Sequence, residues 1–106
     1  MKRNPSTNNL FVEQQATALN ITTQTTTTVK TGEGVLHSII INTPLANGTI
    51  AIYDNTAGSG TLIGTITMPA TLLTTGPYVV EYHAKFAIGL TIVTGSANQN
   101  ITVTFA

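Results

Sequence analysis

The chain has no cysteine and no tryptophan. Without cysteine there is no disulfide framework, no thiolate metal site and no thiol nucleophile, so the fold is expected to rest on its core and on partner subunits. Charge is nearly as scarce. Asp, Glu, Lys and Arg make up 8% of the residues, against about 25% in an ordinary soluble domain. The charged residues are Lys2, Arg3, Lys30, Lys85, Glu13, Glu33, Asp54 and Glu81, and they cancel. A surface this weakly charged does not attract nucleic acid through a bulk field, and it does little to keep copies apart. No stretch approaches the eighteen apolar residues of a membrane-spanning helix. The opening MKRNPSTNNL has basic residues without an apolar run behind them, unlike a secretory leader.

What the chain has is threonine, 22 of its 106 residues. Threonine is β-branched and keeps a solvent-facing strand polar without charge. No 3.6-residue apolar period persists for three turns. The expected fold is therefore all-β, a single antiparallel β-sandwich or jelly-roll-like barrel, with residues 1–19 as an extended N-terminal arm and residues 20–106 as the sandwich domain.

The domain reads as about seven strands separated by turn signals. Asn20–Lys30 forms a polar strand. Val35–Asn42 carries Ile39, Ile40 and Ile41, which require cover on both faces. Asn47-Gly48 marks a tight turn, and Thr49–Tyr53 points Ile50 and Ile52 inward. Asp54–Thr61 is a loop of small residues, read as an Asx-type turn followed by a flexible glycine hairpin. Leu62–Met68 places Leu62 with Ile66 on one face, and Gly64 signals a bulge or a close backbone approach. Tyr78–Ala84 alternates Tyr78, Val80 and Tyr82 against Val79, Glu81 and His83. Phe86–Thr94 and Ile101–Phe105 complete the set.

Little in the sequence reads as chemistry. His37, Glu81 and His83 are the one grouping that resembles an acid–base or metal site. Glu81 and His83 share a strand face, whereas His37 is remote in sequence. Both histidines are read as strand residues hydrogen-bonded to neighbours or to another subunit. Asp54 is the single carboxylate of its loop, too few for calcium. No nucleophile elbow, dinucleotide fingerprint or carboxylate pair is evident. No catalytic residue, cofactor or metal is expected. Tyr78 and Tyr82 could form a glycan platform, although packing is the simpler reading.

Three segments carry a resemblance. They are Lys30-Thr31-Gly32-Glu33-Gly34-Val35-Leu36-His37-Ser38-Ile39, Gly48-Thr49-Ile50-Ala51-Ile52-Tyr53-Asp54-Asn55-Thr56-Ala57-Gly58-Ser59-Gly60-Thr61, and Phe86-Ala87-Ile88-Gly89-Leu90-Thr91-Ile92-Val93-Thr94. In this order they resemble segments of small structural proteins of tailed bacteriophages, over about residues 29–105. The resemblance implies a virion protein on the outer surface of the capsid, a head decoration or cement protein. Such proteins form β-sandwich or jelly-roll trimers that bridge neighbouring capsomers. The implied partners are the major capsid protein and two further copies of the chain, with no role for nucleic acid or membrane. Lys2, Arg3, Leu10, Phe11 and Val12 of the arm are the expected contact residues, with Phe11 as anchor. The other reading is a carbohydrate- or receptor-binding β-sandwich of a phage tail or head fibre, which requires exposed Tyr78 and Tyr82.

Overall fold

A computed structural model describes residues 16–72 and 76–106. It contains eight strands: β1 (Thr17–Ile21), β2 (Thr26–Thr31), β3 (Gly34–Thr43), β4 (Thr49–Asp54), β5 (Thr61–Thr67), β6 (Tyr78–Phe86), β7 (Gly89–Gly95) and β8 (Asn100–Phe105). The pairings β1·β8, β2·β7, β3·β6 and β4·β5 are all antiparallel and nest inside one another. They describe one long hairpin ribbon whose tip is the β4–β5 connection. Rolling that ribbon brings β3 beside β8 and β4 beside β7. Two four-stranded sheets result, the first in the order β1-β8-β3-β6 and the second in the order β2-β7-β4-β5. This connectivity is that of a jelly roll, so the expected all-β sandwich is observed in its eight-strand form.

The core lies between the sheets and is almost wholly aliphatic. Leu36, Ile39 and Ile41 of β3 meet Ile50 and Ile52 of β4, Leu90 and Ile92 of β7, and Ile101 and Val103 of β8, all with no exposed surface. Phe86 is the one fully buried aromatic among the described residues. Period-two alternation explains the inward set on β4 and β8 directly. On β3 the inward residues Leu36 and Ile39 are three apart, because a bulge intervenes.

Two boundaries differ from expectation. The polar segment Asn20–Lys30 is not one strand. It breaks at Thr22–Thr25, where the chain leaves the first sheet and enters the second. Consequently β1 starts at Thr17, inside the segment assigned to the arm, and Ile21 plugs the core. Similarly, β6 runs on through Phe86 and the turn falls at Ala87-Ile88, not before Phe86.

Bulges explain the remaining face changes. Gly64 faces Ile52 while Leu62 faces Tyr53, so Ile63 is an extra residue. That insertion turns Ile63 toward the core and leaves Leu62 51% exposed, on the face opposite to that of Ile66. Gly64 also permits a close approach, since a Cβ there would stand 2.8 Å from the Tyr82 hydroxyl oxygen of the facing sheet. Ile40 points outward and is half-buried between Thr102 and Val79, while Ile39 and Ile41 are buried.

Candidate functional site

The two ends of the sandwich differ. One end gathers the β2–β3 turn, the β4–β5 loop, the β6–β7 turn and the C-terminus. It is also the end where the chain enters β1, because Thr17 faces Phe105. The segments 30–39, 48–61 and 86–94 all reach this end, and hydrogen bonds tie them together.

Asp54 is the centre of that junction. Its carboxylate accepts hydrogen bonds from the backbone N–H of Ala87 (3.0 Å) and Ile88 (2.8 Å), with a longer contact from Gly89 (3.4 Å). The N–H groups of Ala87 and Ile88, chiefly, hold the carboxyl below the usual carboxylate range, since each favours the ionised form. Both carboxylate oxygens thus accept backbone donors from the β6–β7 turn. The Gly32 N–H donates to the Ile88 carbonyl oxygen at 2.9 Å, joining the β2–β3 turn to the same place.

The loop after Asp54 is not a loose hairpin. The Asn55 side chain accepts from the Thr56 N–H and donates to the Ser59 carbonyl, bridging the two ends of the loop. The hydroxyls of Thr28 and Thr91 donate to the Thr56 and Asn55 carbonyls. Gly58 lies so close that a Cβ would stand 2.8 Å from a Val93 methyl. The loop thus covers part of the outer face of the second sheet, and Thr91 is fully buried beneath it.

The outer face of the first sheet carries an uncharged network. Ser38 and Thr104 hydroxyls meet at 2.6 Å, Asn42 donates to Asn100 and Thr102, and Asn20 donates to Asn100. Beside Ser38 the structure brings His37, His83 and Glu81 together. Between the pairs Leu36↔Ala84 and Ser38↔Glu81, β6 has one residue more than β3. Between Leu36↔Phe105 and Ser38↔Thr104, β3 has one more than β8. The two bulges lie side by side, and each presents a histidine. His83 adopts φ of 51° inside a strand, a left-handed conformation that non-glycine residues adopt at a cost. The His37 and His83 rings stand edge to face with centroids 6.2 Å apart, and His83 Nε2 lies 3.0 Å from Glu81 Oε1.

Tyr78 and Tyr82 turn inward and pack against the core, and burial raises the Tyr82 phenol. They do not form an outward platform. The exposed large apolar side chains among the described residues are Leu62, Val79 and Ile88. Lys2, Arg3, Leu10, Phe11 and Val12 lie outside the described residues. Gln99, unremarked in the sequence, fills the opposite end of the sandwich. Its amide donates to the Thr49 carbonyl at 2.9 Å, and its Oε1 is buried without a hydrogen-bond partner among the described residues.

Comparison of the chain with protein-family models, with curated proteins and with solved structures finds no match.

Proposed function

We propose that this chain is a decoration protein of a bacteriophage head, bound to the outside of the assembled shell and acting as cement between capsomers. The observation that carries the proposal is the convergence at one end. The three segments that resemble phage structural proteins are joined there by Asp54 and Gly32. Strand β1 begins at that end, and Ile88 and Leu62 are 56% and 51% exposed beside it. In this reading that end faces the major capsid protein. The mechanism is mass action: a subunit that binds the assembled shell and not its dissociated proteins stabilises the shell. A homotrimer engaging several capsid proteins at once adds avidity without any new contact.

The test is copy number and occupancy in purified particles. A fixed ratio to the major capsid protein is expected, and recovery only with tails refutes the head assignment. Removing residues 1–15 leaves β1 intact and is expected to leave a folded protein that no longer fills the shell. Leu62→Asp with Ile88→Asp is expected to lower occupancy in the same way, and full occupancy by that variant refutes the orientation. Light scattering of the free protein checks the trimer, and a monomer at particle-assembly concentrations counts against it.

A further inference from the structure

We propose that His37 and His83 form a two-imidazole site for a divalent transition-metal ion of the zinc, nickel or copper class, with Glu81 as the group that orients His83. This inference is independent of the capsid reading. It starts from backbone geometry. Two bulges lie on adjacent strands at one level, and bulges can re-aim side chains. Here they set two imidazoles on one solvent-facing patch, one of them from a left-handed residue within its bulge.

The hydrogen bond then assigns the ring. An ionised carboxylate only accepts, so Glu81 Oε1 takes the proton carried on His83 Nε2. In the neutral ring this leaves Nδ1 with a free lone pair. A carboxylate holding one ring nitrogen while the other ligates is the usual support of a metal-bound histidine. Glu81 is thereby occupied as a positioning group. Among the described residues no group of three or more His, Cys, Asp or Glu side chains is placed to hold an ion. The ligand count from the chain is two, and water fills the open positions.

An ion about 2.0–2.1 Å from a nitrogen of each ring puts the two ring centroids roughly 5–6 Å apart, depending on the angle at the metal. The observed separation is 6.2 Å with the rings edge to face, so the rings must turn for a nitrogen of each to meet one ion. His83 and Glu81 are both largely exposed, which leaves them room to turn together. Imidazole nitrogen selects borderline ions, with copper(II) bound most tightly, and gives no affinity for magnesium or calcium.

The experiment is calorimetric titration of the untagged, full-length chain with the chlorides of copper(II), nickel(II), zinc and magnesium. One ion per chain is expected for the first three and none for magnesium. His37→Asn and His83→Asn are each expected to weaken binding at least as much as the roughly 10–100-fold that follows loss of an orienting partner. Asparagine at position 83 tolerates the left-handed backbone, and circular dichroism confirms that both variants fold. Glu81→Gln keeps an acceptor for Nε2 and is expected to bind more weakly than the parent but more tightly than either histidine variant. Paramagnetic broadening by copper(II) should centre on the bulge residues 37 and 83. Absence of saturable binding, or binding unchanged in both histidine variants, overturns the proposal. Loss of binding in Glu81→Gln as complete as in His37→Asn overturns the two-imidazole assignment, because Glu81 would then be a ligand.

Discussion

Gly32 and Gly34 stand two residues apart in the same turn, and the structure gives them opposite reasons for being glycine. Gly32 has φ of +94° with nothing within 4 Å of a Cβ built upon it. Its constraint is conformational. Gly34 has ordinary dihedrals, but its Cβ would fall on the Ala106 carbonyl oxygen and 2.7 Å from Phe86 Cζ. That carbonyl accepts the Val35 N–H at 2.9 Å, so relief by moving it strains a backbone hydrogen bond. For Gly34→Ala, overpacking costs about 1–3 kcal/mol and a weakened hydrogen bond about 1 kcal/mol. The loss of unfolded-chain entropy returns roughly 0.4–1 kcal/mol. A net destabilisation of about 1–3 kcal/mol follows, or a fall in Tm of roughly 4–8 °C for each kcal/mol in a domain near this size. Gly32→Ala should cost about 1–2 kcal/mol from the left-handed backbone alone. The two mechanisms separate with asparagine. Gly32→Asn should recover part of the loss, whereas Gly34→Asn should be worse than Gly34→Ala. Urea unfolding followed by circular dichroism measures all four. A Gly34→Ala midpoint equal to that of the parent, or rescue by asparagine at both positions, refutes the steric argument.

Asp54 should make the fold sensitive to acid. Its folded-state pKa is lowered by the Ala87 and Ile88 N–H groups. Its contribution is therefore complete above the unfolded carboxylate value of about 3.9 and is lost as pH falls through the folded value. Asp54→Asn should flatten the acid limb of stability against pH in urea titrations, and an unchanged slope would assign the acid sensitivity elsewhere. Ile52→Ala, at a fully buried site, should cost about 2–5 kcal/mol in the same assay. Removal of residues 1–21 deletes β1 and Ile21 and exposes the β8 edge, so it should lower stability sharply where removal of residues 1–15 does not.

The inward residues of β4 and β8 were legible because Ile50, Ile52, Ile101 and Val103 obey strict alternation in strands without an internal bulge on the inward face. Leu62 was misplaced because a single extra residue, Ile63, reverses every face beyond it, and no local signal distinguishes a bulge from a strand there. The end of β6 was misjudged for a different reason. Ala87-Ile88 is poor turn chemistry, and the turn exists because a carboxylate more than thirty residues away satisfies its N–H groups. Likewise, Thr22–Thr25 breaks a threonine run that is locally good strand. The crossing is fastened by Thr94, whose hydroxyl donates to the Thr23 carbonyl, and by Asn98, which accepts from the Gln24 N–H. His37 could be named as a candidate but not placed, since its proximity to His83 depends on two bulges in register.

The two outer faces of the sandwich are physically unequal, and this bears on how the chain meets a partner. On the second sheet the loop from Asn55 to Gly60 already occupies part of the face, with its carbonyls satisfied by Thr28 and Thr91. On the first sheet nothing among the described residues lies over the network of Asn20, Ser38, Asn42, Asn100, Thr102 and Thr104. Those side chains are hydrogen-bonded laterally to one another. Burying a polar group is costly chiefly when it loses its partners. A face whose amides and hydroxyls are already paired carries them into an interface intact. Ile40 and Val79, adjacent in register, add apolar area to the same face, and among the described residues charge enters it only at Glu81 and Lys85 on the edge strand. The first sheet is thus the face with the lower desolvation cost.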